Sequence, residues 1–190
     1  MELIDPIEAV RARRRPLRRS EYDRLISIGA FDNERLELLF GMLVRMSPQG
    51  AAHFEAITRL YRVLLLAVGN RADVRSQGPL ALSDDSEPEP DVMILPVGDY
   101  SKELPSRALL VVEVSASTLM DDRQLKGPLY AAAGVPEYWI VNLGERVVEV
   151  YAGPTASGYR ERNDFGSNET ISPAAFPDAR VHIDDILPRA

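Results

Sequence analysis

Two acidic residues lie beside runs of apolar strand formers in this chain. Asp91 follows Pro90 at the start of DVMIL, and Glu113 lies inside ALLVVEV, between Val112 and Val114. Two adjacent carboxylates repel each other, and one has a strongly raised pKa unless a positive group lies between them. Mg²⁺ is a hard cation that takes one or two carboxylates together with waters and substrate phosphate oxygens. The pair therefore predicts a divalent-cation site suited to phosphodiester hydrolysis.

The two carboxylates meet only if their strands pair in one particular register. If the strands are antiparallel neighbours joined by the polar loop PVGDYSKELPS, pairing Leu95 with Leu109 also sets Asp91 opposite Glu113. Their Cβ atoms would then lie about 4.5–5.5 Å apart on one face. The structural alternative is that Asp91 caps a turn while Glu113 points to solvent from a strand edge. The apolar neighbours of Glu113 weigh against that alternative, because burying an unpaired ionised carboxylate is costly.

Lys126 is the candidate positive group, on the helical stretch that follows the Glu113 strand. An ammonium placed there would orient a water and stabilise the negative charge that develops on a phosphoryl group. Pro128 predicts a kink or break near Gln124 that aims Lys126 inward, since proline removes a helical hydrogen bond. The alternative is an ordinary surface pair, because Asp122 lies four residues before Lys126.

Composition removes several other kinds of chemistry. The chain has no cysteine and two histidines, His53 and His182, so thiolate nucleophiles, zinc fingers and histidine-rich metal sites are excluded. It contains no G-x-S-x-G elbow, P-loop or dinucleotide-binding glycine motif. Carboxylate and lysine chemistry remains.

Charge and hydropathy bear on location and partners. The net charge of −7 argues mildly against a surface that coats nucleic acid broadly. We expect a cytoplasmic protein without a membrane segment, because no apolar run reaches the length of a bilayer-spanning helix and the first residues lack the hydrophobic stretch of a secretory signal.

We predict two parts, a basic N-terminal arm or helix at 1–19 and a single domain at 20–190. The arm is defined by its arginines: Arg11, Arg13, Arg14, Arg15, Arg18 and Arg19. Such an arm could follow a phosphate backbone, meet the acidic face of a partner, or be a solvated segment.

The element pattern predicts a central mixed β-sheet flanked by helices. A helix with Ser20 as N-cap and Gly29 as its stop leads into a hairpin over 35–47, and the apolar spacing after Ala51 predicts an amphipathic helix to Gly69. Further strands are expected at about 72–77, 90–95, 108–115, 137–142 and 146–151, a helical stretch at 118–133, and possible short strands near Tyr159 and Val181.

Two long segments carry a family resemblance. RSQGPLALSDDSEPEPDVMIL and LLVVEVSASTLMDDRQLKGPLYAAAGVPEYWIVNL resemble the bacterial Uma-type family, described as putative restriction endonucleases of the PD-(D/E)XK nuclease superfamily. The likeness runs from about Ser20 to Leu187. It implies an α/β (α+β) fold with a restriction-endonuclease-like core.

The resemblance also assigns roles to residues. It implies that Asp91 and Glu113 bind Mg²⁺ or Mn²⁺ with help from the carbonyl of Val114. In the superfamily a lysine usually lies two residues after the second acidic ligand, a position that Ser115 occupies here. The resemblance implies that Lys126, on the following helical stretch, takes the place of that lysine.

Two further positions match the family pattern. Glu37 matches an N-terminal acidic position near such sites, and Gln77 a polar position that could contact substrate. The alternatives are a cross-strand salt bridge for Glu37 and a solvated strand residue for Gln77. His53 is expected to be a helix-end or packing residue, and Tyr138 and Trp139 are expected in the core.

The resemblance implies a metal-dependent endonuclease that acts on DNA as a homodimer. The alternative from a different functional class is a catalytically inactive protein of the same fold that serves as a nucleic-acid or protein interaction module.

Overall fold

A computed structural model describes residues 13–189 of the chain. Its helices are α1 (Arg19–Ser27), α2 (Ala51–Val68), α3 (Leu119–Asp121), α4 (Gly127–Ala132) and α5 (Ile183–Ile186), with a 3₁₀ turn at Gly69–Arg71 and a π-helical turn at Asp122–Lys126 between α3 and α4. Its strands are β1 (Leu36–Leu39), β2 (Met42–Arg45), β3 (Asp73–Ser76), β4 (Val92–Leu95), β5 (Leu110–Ser115), β6 (Glu137–Asn142), β7 (Val147–Thr155), β8 (Gly158–Phe165), β9 (Thr170–Ile171) and β10 (Val181–His182).

A six-stranded mixed sheet in the order β3-β4-β5-β6-β7-β8 organises the described part of the chain. Only β5 and β6 run parallel; the other neighbours are antiparallel. Every residue of β5 and of β6 is buried, because helices and loops cover both faces of these central strands. The predicted fold class, a mixed sheet flanked by helices, is confirmed.

The pairing of β4 with β5 has the register that the site requires. Val92 pairs with Val112, and Ile94 with Leu110. One further step in this register sets Asp91, just before β4, opposite Glu113. The predicted register is confirmed.

The two faces of the sheet have separate cores. On one face α2 packs through the stripe Ala56, Ile57, Leu60, Leu64 and Val68 against strand residues such as Val112 and Trp139. On the other face Tyr130 of α4 packs with Val111, Tyr138 and Ile140. Tyr138 and Trp139 are both fully buried, so their assignment to the core is confirmed. The helical stretch that carries Lys126 thus covers the face onto which Glu113 projects.

The segment before the sheet differs in one detail from the expectation. Helix α1 begins at Arg19 with Arg18 as N-cap, so the prediction of Ser20 as N-cap is wrong. Glu21 is the reason, because its carboxylate accepts the Arg18 backbone N–H at 2.9 Å and satisfies that donor from inside the helix. Gly29 follows the helix end with φ +72°, as expected for a stop.

The other elements agree broadly with the prediction. The hairpin over 35–47 is confirmed, with β1 and β2 antiparallel around Gly41. The strand near Tyr159 is longer than predicted, since the eight-residue β8 forms an edge of the main sheet.

Most of the predicted arm, residues 1–12 including Arg11, lies outside the described residues. Of its other arginines, Arg15 pairs with Glu21 at 2.9 Å and Arg19 approaches Asp23 at 3.6 Å. No helix within 13–189 is long and apolar enough to cross a bilayer.

Candidate active site

A cleft opens where β4 begins and β5 ends. Its walls are the hairpin strand β2 with the residues after it, the first turn of α2, and the segment from Thr118 to Lys126. Among the described residues, six carboxylates line it: Glu37, Glu89, Asp91, Glu113, Asp121 and Asp122. The cationic side chains on its wall are Lys126 and Arg45, and Arg45 is already paired with Glu34 at 3.2 Å. The cleft therefore has an excess of negative charge.

Asp91 lies at the point where the β4 and β5 ladder ends. Its Oδ2 accepts the backbone N–H of Val114 at 2.8 Å, so the side chain continues the ladder in place of a carbonyl. The residue is 7% exposed. Because the backbone of the neighbouring strand holds this carboxylate, its position is set by the sheet itself.

Glu113 projects from the middle of β5 and is buried, so the alternative of a solvent-facing glutamate is wrong. Its Oε1 accepts hydrogen bonds from Lys126 Nζ at 3.1 Å and from the Tyr130 hydroxyl at 2.7 Å. Both donors approach the same oxygen, and they come from the helical segment that covers this face of the sheet.

Lys126 lies between two carboxylates. Its Nζ is 3.1 Å from Glu113 Oε1 and 3.2 Å from Glu37 Oε2, and its side chain is 12% exposed. The alternative surface pair with Asp122 does not form, because Asp122 is buried and accepts the Thr118 hydroxyl at 2.8 Å. The predicted disturbance of the helix before Pro128 is present as the π-helical turn that carries Lys126.

The electrostatics of the cleft follow from burial and from the excess of carboxylates. Burial, opposed by Lys126 and reinforced by Asp91, raises the pKa of Glu113 to about 8. Burial also raises the pKa of Asp122 to about 6. Burial lowers the pKa of Lys126, but the nearby carboxylates, Glu113 first and Glu37 next, outweigh it and raise that pKa overall. Lys126 therefore remains protonated.

The three other residues singled out by resemblance have different positions. Glu37 lies opposite Val44 in the hairpin, so it makes no cross-strand salt bridge there; its partner is Lys126. Val114 lines the cleft. Gln77 is exposed just after β3 and lies outside the cleft wall, although its backbone N–H donates to the Asp91 carbonyl at 3.1 Å.

The comparisons with known proteins bear on the family and the fold of the chain. Residues 19–184 match the Uma2 family, described as "Putative restriction endonuclease". The chain belongs to this family. The resemblance inferred from its motifs is confirmed.

One of the solved structures that match covers most of the chain. It is a crystal structure of a putative nuclease of the DUF820 group from Anabaena variabilis, with a TM-score of 0.70 and 14% sequence identity, covering 90% of this chain and 97% of that one. At this identity the likeness shows the fold alone. No curated protein matches the chain.

One residue of this Uma2 cleft was not predicted. His53 Nε2 lies 3.1 Å from Asp91 Oδ2, and its side chain is 15% exposed. The sequence contains a clue, since His53 precedes Ile57 by four residues and thus shares the buried stripe of α2. A polar residue at the end of a core-facing stripe indicates a polar partner at the end of the strands on which the helix packs.

The cleft suits a hard cation better than a softer one. Within 13–189 no group of three or more His, Asp or Glu side chains forms a ligand set for a metal ion. Asp91 Oδ1 and Glu113 Oε2 accept no hydrogen bond from the described residues, since the donors all approach Asp91 Oδ2 and Glu113 Oε1. Carboxylate oxygens, with waters completing the shell, are the ligands that proteins give Mg²⁺, so the chemistry of these donors fits that ion.

Proposed function

We propose that this Uma2 chain is a metal-dependent endonuclease that hydrolyses phosphodiester bonds in DNA. The observation that carries the proposal is the meeting of Asp91, Glu113 and Lys126 in one cleft whose carboxylates outnumber its cations. The family description and the nuclease fold support the same reaction class.

Asp91 and Glu113 are the proposed ligands of Mg²⁺ or Mn²⁺, with the Val114 carbonyl as a third candidate. Their two oxygens without hydrogen-bond donors support this assignment. When bound, such an ion supplies Lewis-acid polarisation of the phosphoryl group and an activated water.

The chain's own residues prepare the site. The Val114 N–H fixes the carboxylate of Asp91, while Lys126 and Tyr130 fix that of Glu113. Glu37 holds Lys126 from its other side and keeps the ammonium in the cleft. There the ammonium stabilises the negative charge that develops on the phosphoryl oxygens, because a preorganised cation in a partly buried site needs little rearrangement. Gln77 remains a proposed substrate contact at the margin of the site.

We also propose that the active form is a homodimer. One cleft cleaves one strand, and a two-fold dimer presents two equivalent clefts to the two strands of a duplex. Light scattering of the purified protein, alone and with a short duplex, tests this stoichiometry.

Cleavage of single-stranded, duplex and branched DNA with Mg²⁺, Mn²⁺ or EDTA tests the main proposal. Lys126→Met should abolish cleavage, and Lys102→Met is a matched control because Lys102 is the only other lysine of the chain and is exposed. Equal cleavage by wild type and Lys126→Met would indicate a contaminant and contradict the proposal. DNA binding without cleavage under every condition would instead favour an interaction module.

A further inference from the structure

The π-helical turn at Asp122–Lys126 decides which way Lys126 points. In this turn the N–H of Gly127 donates to the carbonyl of Asp122, five residues back rather than four. Each residue of an α-helix advances by about 100°, so one extra residue in the turn rotates the following side chains by about that angle. An uninterrupted α-helix would therefore aim residue 126 in a different direction from the one observed.

Two features of the chain favour the wide turn. Pro128 has no N–H to donate to Gln124, so a regular α-helix would lack that bond in any case. The hydroxyl of Tyr138 also donates to the Asp122 carbonyl, at 3.1 Å.

Tyr138 comes from a different element, strand β6, and is fully buried under this turn. The Asp122 carbonyl thus accepts two hydrogen bonds, one from Gly127 that defines the π turn and one from the sheet below it. In an α-helix the same carbonyl would instead accept the Lys126 N–H. A second buried donor on this oxygen stabilises the turn that is seen.

We propose that the Tyr138 hydroxyl is a positioning group for Lys126. It holds the Asp122 carbonyl in the π-helical arrangement, and this arrangement presents the ammonium to Glu37 and Glu113. Tyr138 has no hydrogen bond to those carboxylates and acts only through the backbone. The inference rests on the proposed function for the importance of Lys126, but its structural content is testable without any substrate.

The two lysines of the chain make the test direct. Lys102 is exposed in a loop, whereas Lys126 is nearly buried between two carboxylates. Acetylation of the folded, metal-free protein with excess reagent, followed by mass spectrometry of the two peptides, gives the reactivity of Lys126 relative to Lys102. In Tyr138→Phe this ratio should rise about fivefold, which corresponds to the ~1 kcal/mol typical of one hydrogen bond.

Tyr159→Phe is the matched control. Tyr159 packs 6.0 Å from the Tyr138 ring and donates its hydroxyl to another backbone carbonyl, that of Val135, at 2.9 Å. Loss of the Tyr159 hydroxyl removes an equivalent hydrogen bond from the aromatic cluster of Tyr130, Tyr138, Tyr151 and Tyr159. The π turn is not affected, so the acetylation ratio should stay at the wild-type value. Equal ratios in wild type and both variants would overturn the proposal.

Pro128→Ala tests the same turn if Tyr138→Phe does not fold. It restores the missing N–H and so permits the regular bond to Gln124, and the ratio should rise here as well. An unchanged ratio in a folded Pro128→Ala protein would overturn the proposal.

If the wild type cleaves DNA, Tyr138→Phe should lower kcat more than it changes KM, because Lys126 acts in the chemical step. Absence of cleavage would bear on the proposed function and leave the labelling result intact.

Discussion

Glu113 and Glu149 are two buried glutamates on one face of one sheet, and their surroundings shift their pKa values in opposite directions. Glu113 of β5 pairs with Ile140 of β6, which pairs with Glu149 of β7, so the two carboxylates lie in one row, about 10 Å apart. The π turn above them sends Arg123 to Glu149 and Lys126 to Glu113. The two glutamates are thus closely matched in position and in burial.

Their partners differ. Glu149 accepts hydrogen bonds from Arg123 at 3.0 Å, Asn142 at 3.0 Å and Tyr151 at 2.7 Å, and Arg162 lies 3.5 Å away. Burial raises the pKa of Glu149, but these hydrogen bonds, that of Arg123 first, outweigh it and lower the pKa overall.

Glu113 has donors on one oxygen only and faces other carboxylates, so burial dominates and its pKa rises. A fully paired carboxylate stabilises the fold, whereas a partly paired one beside a cleft is available for binding.

The largest expected effect is on catalysis. Glu113→Gln should reduce DNA cleavage by more than about a hundredfold, because even the loss of an outer-shell partner of a metal ligand typically costs 10–100-fold. Glu149→Gln, assayed at a temperature where it is folded, should retain activity within about tenfold, since Glu149 reaches the site only through Arg123 and the π turn. Initial rates on one duplex measure both. Comparable losses of cleavage activity in Glu113→Gln and Glu149→Gln would contradict this distinction between the two glutamates.

The next effect is on stability, and here the order of the two glutamates is reversed. Glu149→Gln should lower the free energy of unfolding by about 2–3 kcal/mol. This loss is smaller than is usual for a broken buried ion pair, because the Arg123 and Arg162 side chains are about one-third exposed and can be hydrated when Glu149 is replaced. Glu113→Gln in EDTA at pH 7 should change the free energy of unfolding by less than about 1 kcal/mol, because a carboxyl with a pKa of about 8 is largely neutral at this pH and the amide replaces a neutral group. Urea titrations give both values. Greater destabilisation by Glu113→Gln would contradict the comparison.

The pH dependence of stability sharpens the same contrast. The pKa of Glu113 is raised from 4.5 to about 8 in the folded state, so the folded protein holds a proton that the unfolded chain has lost. Its contribution to stability is therefore complete below about pH 4.5 and is lost as the pH rises towards 8. In EDTA, wild-type stability should fall across this window more steeply than that of Glu113→Gln.

Urea midpoints at pH 5 and pH 8 measure the difference, with Glu149→Gln as the reference for a carboxyl whose pKa is lowered. Parallel profiles for wild type and Glu113→Gln would show that Glu113 does not titrate in this range. Saturating Mg²⁺ at pH 8 should restore stability in the wild type and not in Asp91→Asn, because a ligand that binds only the folded state stabilises it.

The sequence was sufficient to predict the part of the site that depends on local pattern. The assumption that two neighbouring strands pair antiparallel across one polar loop gave the register that sets Asp91 opposite Glu113, and Pro128 indicated a disturbed helix near Lys126. It was not sufficient for contacts set by how elements pack. His53 reaches Asp91 across 38 residues of chain, and the partners of Glu149 come from four elements, the π turn, β6, β7 and β8. No local pattern encodes such distances, because they depend on where α2 and the π turn are placed on the sheet.

The smallest expected effect concerns the orientation of Glu113. Tyr130 donates to the same oxygen, Oε1, as Lys126 does, and this leaves Oε2 for a cation. Tyr130→Phe removes one of the two bonds that fix the carboxylate, so the Mn²⁺ concentration for half-maximal cleavage should rise about fivefold, the equivalent of ~1 kcal/mol. The maximal rate at saturating Mn²⁺ should change less, because Lys126 stays on Glu113.

Tyr159→Phe again serves as the reference, since it loses a hydroxyl from the same aromatic cluster while leaving Glu113 untouched. A shift of the Mn²⁺ midpoint in Tyr130→Phe alone would assign the effect to the second donor on Oε1. Identical midpoints in the two variants would mean that Lys126 suffices to orient Glu113. In that case the difference between the two glutamates would lie in charge alone and not in how each carboxylate is held.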